Sequence, residues 1–225
     1  MALAVSPGKR GIWTRHVPMP ACWLIYRLET RGPMPDPNPD ALRFLQTRRS
    51  RPAKTLAGPV PDRAALIPLL TAAARSPDHG KLEPWRFIVL ETPAMARLAE
   101  VVQSRGAALA LPEEQIVKGR SQFDQGGLAV VVVEVQKPSE KIPALEQTYA
   151  AGAVCLALLN VALAAGWGAN WLSGWPSHDR GFMQDGLALA DHERIAGIIH
   201  IGTETSAPPE RPRPNIESIT TWLSR

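Results

Sequence analysis

The sequence predicts an α+β or α/β domain in which helices alternate with a few buried strands. The run 128–135 is apolar apart from Glu134 and rich in Val, as in a strand that is buried on both faces, and the Ile-rich run 195–201 is a second strong strand. Segments with the apolar spacing of helices separate these runs, which is typical of both classes. A chain of 225 residues suits one domain, or one domain with a tail.

The predicted elements begin at residue 40. Asp40 is expected to cap a first helix that ends at Thr47, and Asp62 to cap a second helix that stops at Ser76-Pro77. The remaining elements are a strand over 86–90, a helix opened by Thr92-Pro93, a helix over 112–123, a strand over 128–135, a helix over 143–165 ended by Gly166, and a strand over 195–201.

Residues 1–39 differ from the rest of the chain in proline content and charge. They hold seven of the 22 prolines, and the prolines at every second position from Pro33 to Pro39 prevent a helix or a paired strand. We therefore expect an extended or disordered tail over 1–39 and one domain over 40–225. A transit peptide and a true start at Met34 are the alternatives.

Charge and cysteine content exclude several classes of function. The formal net charge of +4 comes largely from residues 1–39, which hold five basic and two acidic residues, so the body is nearly neutral and unsuited to nucleic acid. Cys22 and Cys155 fit no metal-binding spacing, and nothing requires a disulfide-forming compartment, so a cytoplasmic protein is expected. The apolar stretch 150–165 is too short for a membrane span and is expected to be a core or subunit-interface helix.

Two short motifs carry the chemistry. Arg48-Arg49-Ser50 is followed by Arg75-Ser76-Pro77-Asp78-His79, and then by Pro84-Trp85. Guanidinium groups bind phosphate in fork geometry, and a hydroxyl and an imidazole add hydrogen bonds, so the motifs predict a site for a phosphorylated planar ring. Arg211 and Arg213 can supply further phosphate contacts from the C-terminal segment. The alternative is that these arginines are solvated surface charge.

These motifs, together with the segments 83–89, 166–174 and 198–203, resemble those of the FMN-dependent nitroreductases over residues 40–225. The resemblance implies a three-layer α+β fold with a mixed sheet wrapped by helices. It also implies a homodimer that holds FMN in two sites at the subunit interface.

The resemblance assigns roles residue by residue, with His79 reaching the flavin that is held mainly by the other subunit. No catalytic residue is expected, because flavin and water can supply the protons, and no metal is expected. The FMN ligands are expected to be Arg48, Arg49, Ser50, Arg75, His79, Trp171, Leu172, Ser173, Arg211 and Arg213, and the NAD(P)H contacts Val161, Ala162, Leu163, Ala164, Ala165 and Gly166.

The expected function is that of an NAD(P)H oxidoreductase that reduces nitroaromatic, quinone or enone acceptors by a ping-pong, two-electron mechanism. Membrane and nucleic-acid partners are not expected. Three positions depart from the family pattern: Glu83 stands for Gln, Leu172 for Arg, and Gly126-Gly127 for Ala-Pro. These departures leave a non-catalytic FMN-binding or sensing protein as an alternative function. An enzyme that removes halogens or consumes its own flavin is a second, enzymatic alternative.

Aromatic and polar clusters elsewhere are expected to be structural. Trp85 is expected to pack in the core at a strand entry. Trp167, Trp171 and Trp175 either line an aromatic pocket or are simply buried. The pairs around His178 and His192 resemble metal ligands, but polar residues at helix starts are the better interpretation.

Overall fold

The structure, a computed structural model, describes residues 36–224. The chain divides after Pro39, and the unit from Asp40 onward holds the elements described below, except for the first residue of the first helix. The tail expected over 1–39 falls largely on residues 1–35, which lie outside the described residues, so it stays a prediction.

The described part contains helices on both faces of one sheet. The helices are α1 Pro39–Thr47, α2 Arg63–Ala73, α3 Thr92–Ala108, α4 Glu113–Asp124 and α5 Ala144–Ala164. The strands are β1 Leu56–Ala57, β2 Trp85–Glu91, β3 Leu128–Val135, β4 Gly168–Leu172 and β5 Glu193–Glu204. Short 3₁₀ helices span Ala53–Thr55, His79–Lys81, Trp175–Ser177 and Glu217–Ile219, and a π-helix spans Phe182–Gly186.

The sheet has the order β1-β5-β3-β2, and β4 also pairs with β5. Every pairing in the described chain is antiparallel, which differs from the mixed sheet that the resemblance implied. Helices α3 and α4 connect β2 to β3, and β3 runs antiparallel to β2. The single helix α5 instead joins β3 to β4, which run parallel to each other with β5 between them. The α+β class is confirmed.

Strand β3 divides the core into two layers. Its eight residues are all buried, as the continuous apolar run predicted. Val131 and Val133 face α3, α4 and the π-helix, whereas Val130 and Val132 face α2 and α5. The alternation places helices on both sides of the sheet, so the three-layer arrangement is also confirmed.

Several predicted helix ends are observed, and one is wrong. The Asp62 carboxylate caps α2 by accepting a hydrogen bond from the Ala65 N–H at 2.8 Å, as expected. Gly166 ends α5 with φ +86°, a left-handed conformation that favours glycine. Asp40 is not the cap of α1, because that helix begins one residue earlier, with Pro39 in its first turn.

Strand β5 begins before the expected residue 195 because a charge is neutralised. The Glu193 carboxylate accepts two hydrogen bonds from the Arg86 guanidinium, at 2.6 and 2.8 Å. This pairing lowers the pKa of Glu193 to about 2. Glu193 can therefore occupy a buried strand position, although burial of an unpaired carboxylate would be unfavourable.

A β-bulge at Ala196 and Gly197 shifts the register of β5 against β3 by one residue. Val132 opposes Gly197, but the next residue of β3, Val133, opposes Ile195. The Trp171 indole lies directly over Gly197, where a Cβ would collide with it. Trp171 is therefore packed on the sheet rather than free to line an open pocket.

The buried His200 makes the stability of the fold sensitive to acid. The side chain is 1% exposed, and neither ring nitrogen has a hydrogen-bond partner in residues 36–224. A Cβ at Gly126 would lie 2.9 Å from His200 Nδ1, so the absence of a side chain at Gly126 makes room for this imidazole. Burial lowers the pKa of His200 to about 4.

We expect His200 to destabilise the fold as the pH falls. The unfolded chain takes up a proton near the ordinary pKa of 6.5, but the native protein does so only near 4. The contribution of His200 to the free energy of unfolding is thus fully present above pH 6.5. It falls between pH 6.5 and 4, by up to about 1.4 kcal/mol per pH unit. Urea unfolding at several pH values should show a flatter dependence for His200→Leu, while the exposed-site control His178→Asn keeps the wild-type slope. Equal slopes for all three proteins would refute the assignment.

Helix α5 is long and apolar enough to cross a membrane by length and composition, with 44% of that stretch buried. Its inner face supplies Val154, Cys155 and Leu158 to the core, each fully buried. Burial raises the pKa of the Cys155 thiol to about 12, as expected for a cysteine that acts as a small hydrophobe. These contacts are those of a core helix.

Candidate cofactor site

The first motif lies on the loop that follows α1. The Arg48 guanidinium donates from Nη2 to the Ser50 hydroxyl at 2.9 Å. The Arg51 N–H donates to the Ala169 carbonyl at 2.8 Å, which ties this loop to β4. Arg48, Arg49 and Ser50 are all partly buried, so the motif is held against the domain rather than spread in solvent.

The C-terminal segment reaches the same loop. Arg213 donates to the Arg48 carbonyl at 3.5 Å, and Arg49 donates from Nε to the Pro209 carbonyl at 3.3 Å. Glu210 holds the Arg213 guanidinium at 2.9 Å. The structure thus brings Arg48, Arg49 and Arg213 together, and we call these three residues the arginine cluster.

Electrostatics make the arginine cluster receptive to an anion. Burial, and then the charges of Arg213 and Arg49, lower the pKa of Arg48 below its ordinary value. The Nε atom of Arg48 is buried and has no hydrogen-bond partner in the described part of the chain. An anion at this position would relieve the repulsion between cations and satisfy the free donor.

A cavity of about 300 Å³ adjoins the arginine cluster. The cavity also contacts the end of α5, where the nicotinamide nucleotide was expected. Its lining residues are Phe44, Thr47, Arg48, Arg49, Arg51, Leu163, Gly166, Trp167 and Glu204. Arg51 and Glu204 form an ion pair at 3.1 Å across it, and the Glu204 Oε1 atom is buried without a partner in the described residues.

Arg51 and Glu204 were missed as site residues by sequence reasoning, whereas Trp167 was one of the three tryptophans for which a pocket was an alternative. Arg51 directly follows Arg48-Arg49-Ser50, and this adjacency could have indicated that it belongs to the site. Glu204 is 153 positions farther along the chain, and only the pairing of β1 and β5 brings it near. No local pattern in the sequence carries that information.

The second motif lies at the other end of α5. His79 Nδ1 is 2.6 Å from a carboxylate oxygen of Glu146, which lies in the first turn of this helix. A cavity of about 410 Å³ is open beside the pair and is lined by Pro77, Asp78, His79, Glu146, Tyr149, Ala150 and Ala153. Sequence reasoning found His79 but not Glu146.

The two clusters are separated by the length of α5. Glu146 and Leu163 lie 17 positions apart, which at the rise of an α-helix is about 25 Å. The arginine cluster and His79 of one chain therefore lie near opposite ends of α5.

Other predicted site residues are not gathered at either cluster. Trp171 packs against the core on the α5 side of the sheet and Trp175 against the core on the other side, so burial is the better interpretation for these two, whereas Trp167 packs on the core and also lines the cavity beside the arginine cluster. Trp85 packs against the α5 layer, as expected. Ser173 Oγ lies 3.4 Å from His178 Nε2, and Leu172 is half-buried in β4 opposite Ile198.

Arg75 and Arg211 have exposed side chains that form no ion pair within residues 36–224. Of the expected nucleotide segment, Ala162 is buried in the core and Val161 packs against it. Ala164 and Ala165 are exposed, and only Leu163 and Gly166 reach the cavity beside the arginine cluster. That segment is thus only partly accessible to a nucleotide in this chain.

The expected helix-start residue is observed in Asp179. Its carboxylate pairs with Arg105 and accepts a hydrogen bond from the Phe182 N–H at 2.6 Å, where the π-helix begins. Asp191 pairs with Arg180. Within the described residues, no group of three or more His, Cys, Asp or Glu side chains is placed to hold a metal ion.

Comparison with known proteins identifies the fold and the family. The model of the nitroreductase family matches residues 45–203. YdjA of Escherichia coli (strain K12), which is named as an NAD(P)H nitroreductase, is 31% identical over 164 residues, 73% of this chain and 88% of its own. A nitroreductase-like protein from Bacillus cereus has a TM-score of 0.68 at 25% identity, over 85% of this chain and 100% of its own. NfnB from Sphigopyxis sp. strain HMH has a TM-score of 0.64 at 16% identity, over 82% and 99%.

The fold and the matched span define the protein as an oxidoreductase. The family model covers Arg48-Arg49-Ser50, His79 and the segment 161–173, whereas Arg211 and Arg213 lie beyond it. The chain belongs to the nitroreductase family.

Proposed function

We propose that the protein is an FMN-dependent NAD(P)H oxidoreductase that reduces nitroaromatic, quinone or enone acceptors by a ping-pong, two-electron mechanism. The observation that carries the proposal is the arginine cluster, whose buried and unpaired Arg48 Nε faces like charge from Arg49 and Arg213. The phosphate of FMN is a dianion with three acceptor oxygens, which fits this donor set.

In this proposal the side chains of the first motif and of Arg213 bind the FMN phosphate. Arg48, Arg49 and Arg213 hold the phosphate, and Ser50, whose hydroxyl contacts Arg48, adds a hydroxyl donor. FMN held by these residues would supply two-electron redox chemistry between NAD(P)H and the acceptor. A fold relative supports the choice of cofactors, since NfnB is described as FMN- and NADPH-dependent.

The active protein in this proposal is a homodimer with composite sites. The outer face of α5 exposes Tyr149, Ala153 and Leu156, spaced as one stripe along the helix. An exposed apolar stripe on a helix whose inner face is already in the core calls for a partner. If two copies of α5 pack antiparallel about a two-fold axis, the His79 end of one lies beside the arginine cluster of the other.

The absorption spectrum of purified protein tests the proposed function. Protein loaded with FMN should be yellow, bleach on anaerobic addition of NADPH, and recover its colour when menadione is added. Protein that binds FMN but never bleaches would leave only a non-catalytic flavin-binding or sensing role. Protein that stays colourless with added FMN would reject the proposal.

A further inference from the structure

We propose that Glu146 is a positioning residue for His79: its carboxylate fixes the tautomer and orientation of the imidazole, so that Nε2 faces the ligand. The identity of that ligand, FMN held by the partner subunit, rests on the proposed function. The arrangement of the pair itself does not.

The hydrogen bond determines which nitrogen carries the proton. Glu146 Oε2 lies 2.6 Å from His79 Nδ1, and an ionised carboxylate can only accept. Nδ1 therefore carries the hydrogen and is occupied by Glu146. In the neutral ring Nε2 is then an acceptor, and in the protonated ring it is a donor, so Nε2 is the atom available to a ligand in either state.

The backbone that presents His79 is fixed by its surroundings. Gly80, Lys81 and Glu83 all have positive φ, of 74°, 54° and 48°, a conformation that is rare for residues other than glycine. The Glu83 N–H is held at 3.0 Å by the Asp78 carboxylate. A Cβ at Gly80 would collide with the Ile142 side chain, just before α5, so the turn is packed closely against the start of that helix.

The first turn of α5 is fixed equally well. Gln147 is buried and forms two hydrogen bonds with the backbone of Lys137, at 2.8 and 2.9 Å. The Thr148 hydroxyl donates to the buried Glu134 carboxylate at 2.7 Å. Both neighbours of Glu146 on its C-terminal side are thus anchored to the strand β3 and the loop after it, so the backbone that carries Glu146 is held in place beside His79.

The tautomer can be read directly. The chain has five histidines, few enough for nitrogen-15 NMR of the imidazole rings. The wild-type protein should show His79 protonated at Nδ1 in its neutral form. In Glu146→Gln the amide can donate or accept, so the Nε2-protonated tautomer should gain population. Glu113→Gln, which makes the same change in the exposed first turn of α4, should leave His79 as in the wild type. An unchanged His79 tautomer in Glu146→Gln would overturn the proposal.

The functional consequence is tested on FMN-loaded protein with NADPH and menadione. Glu146→Gln and Glu146→Ala should lower kcat/KM about 10-fold, the lower range for residues that orient a ligating histidine. In a His79→Ala background the Glu146→Gln change should have no further effect. An equal loss in both backgrounds, or no loss in either, would overturn the role of Glu146. A wild-type protein without turnover would instead reject the proposed function, while the NMR result would still decide the positioning of His79.

Discussion

Leu156→Arg is expected to convert the protein into single chains that bind FMN at least about 100-fold more weakly than the wild type. Leu156 is 45% exposed on the outer stripe of α5, which the composite-site proposal buries against a second copy. Symmetry would place two arginines in that interface, and burying an unpaired charge costs several kcal/mol. Sedimentation velocity and FMN titration by fluorescence measure both effects.

Val117→Arg is the matched control for this change. Val117 is 55% exposed on α4, a helix on the opposite side of the sheet from α5. This variant should keep the wild-type mass and FMN affinity, and thermal unfolding should show that both variants are folded. A Leu156→Arg protein that remains a dimer, or that binds FMN normally as a single chain, would contradict the proposed interface.

Arg48→Ala is expected to weaken FMN binding by about 10- to 100-fold while leaving riboflavin binding almost unchanged. A hydrogen bond to a charged group contributes about 1.5–3 kcal/mol, and only FMN has the phosphate that receives it. Arg48→Lys should recover part of the affinity, because it keeps the charge but loses the fork geometry. Calorimetric titration with the two flavins separates these cases.

Arg43→Ala provides the control for a lost positive charge. Arg43 lies on α1 and pairs only with the exposed Asp40 among the described residues. Its removal should leave the preference for FMN over riboflavin intact. If Arg48→Ala weakens both flavins equally, the arginine cluster does not bind the phosphate.

Local patterns in the sequence were sufficient for the elements that form the core. The apolar run of β3, interrupted only by Glu134, predicted a central strand because a strand covered on both faces is apolar at nearly every position. Asp62 and Gly166 marked helix ends through chemistry that acts within a few residues. The first motif predicted a cationic site because its members are adjacent in sequence.

Features that depend on distant partners were not predictable. Strand β4 lies within the glycine- and tryptophan-rich segment 166–175 and exists as a strand because β5 pairs with it. Glu193 enters β5 only because Arg86, 107 positions away, neutralises it. The Glu146–His79 and Arg51–Glu204 pairs likewise join residues that are far apart in the chain.

The central claim is that each cofactor site combines the arginine cluster of one chain with His79 of another. Mixing Arg48→Ala protein with His79→Ala protein, with exchange of subunits, tests it most directly. Mixed dimers would contain one site with both residues intact, so NADPH–menadione turnover should rise above that of either parent, to about a quarter of the wild-type value per chain. Turnover that remains at the average of the two parents, in a mixture shown to contain mixed dimers, would mean that Arg48 and His79 do not serve the same site across the interface.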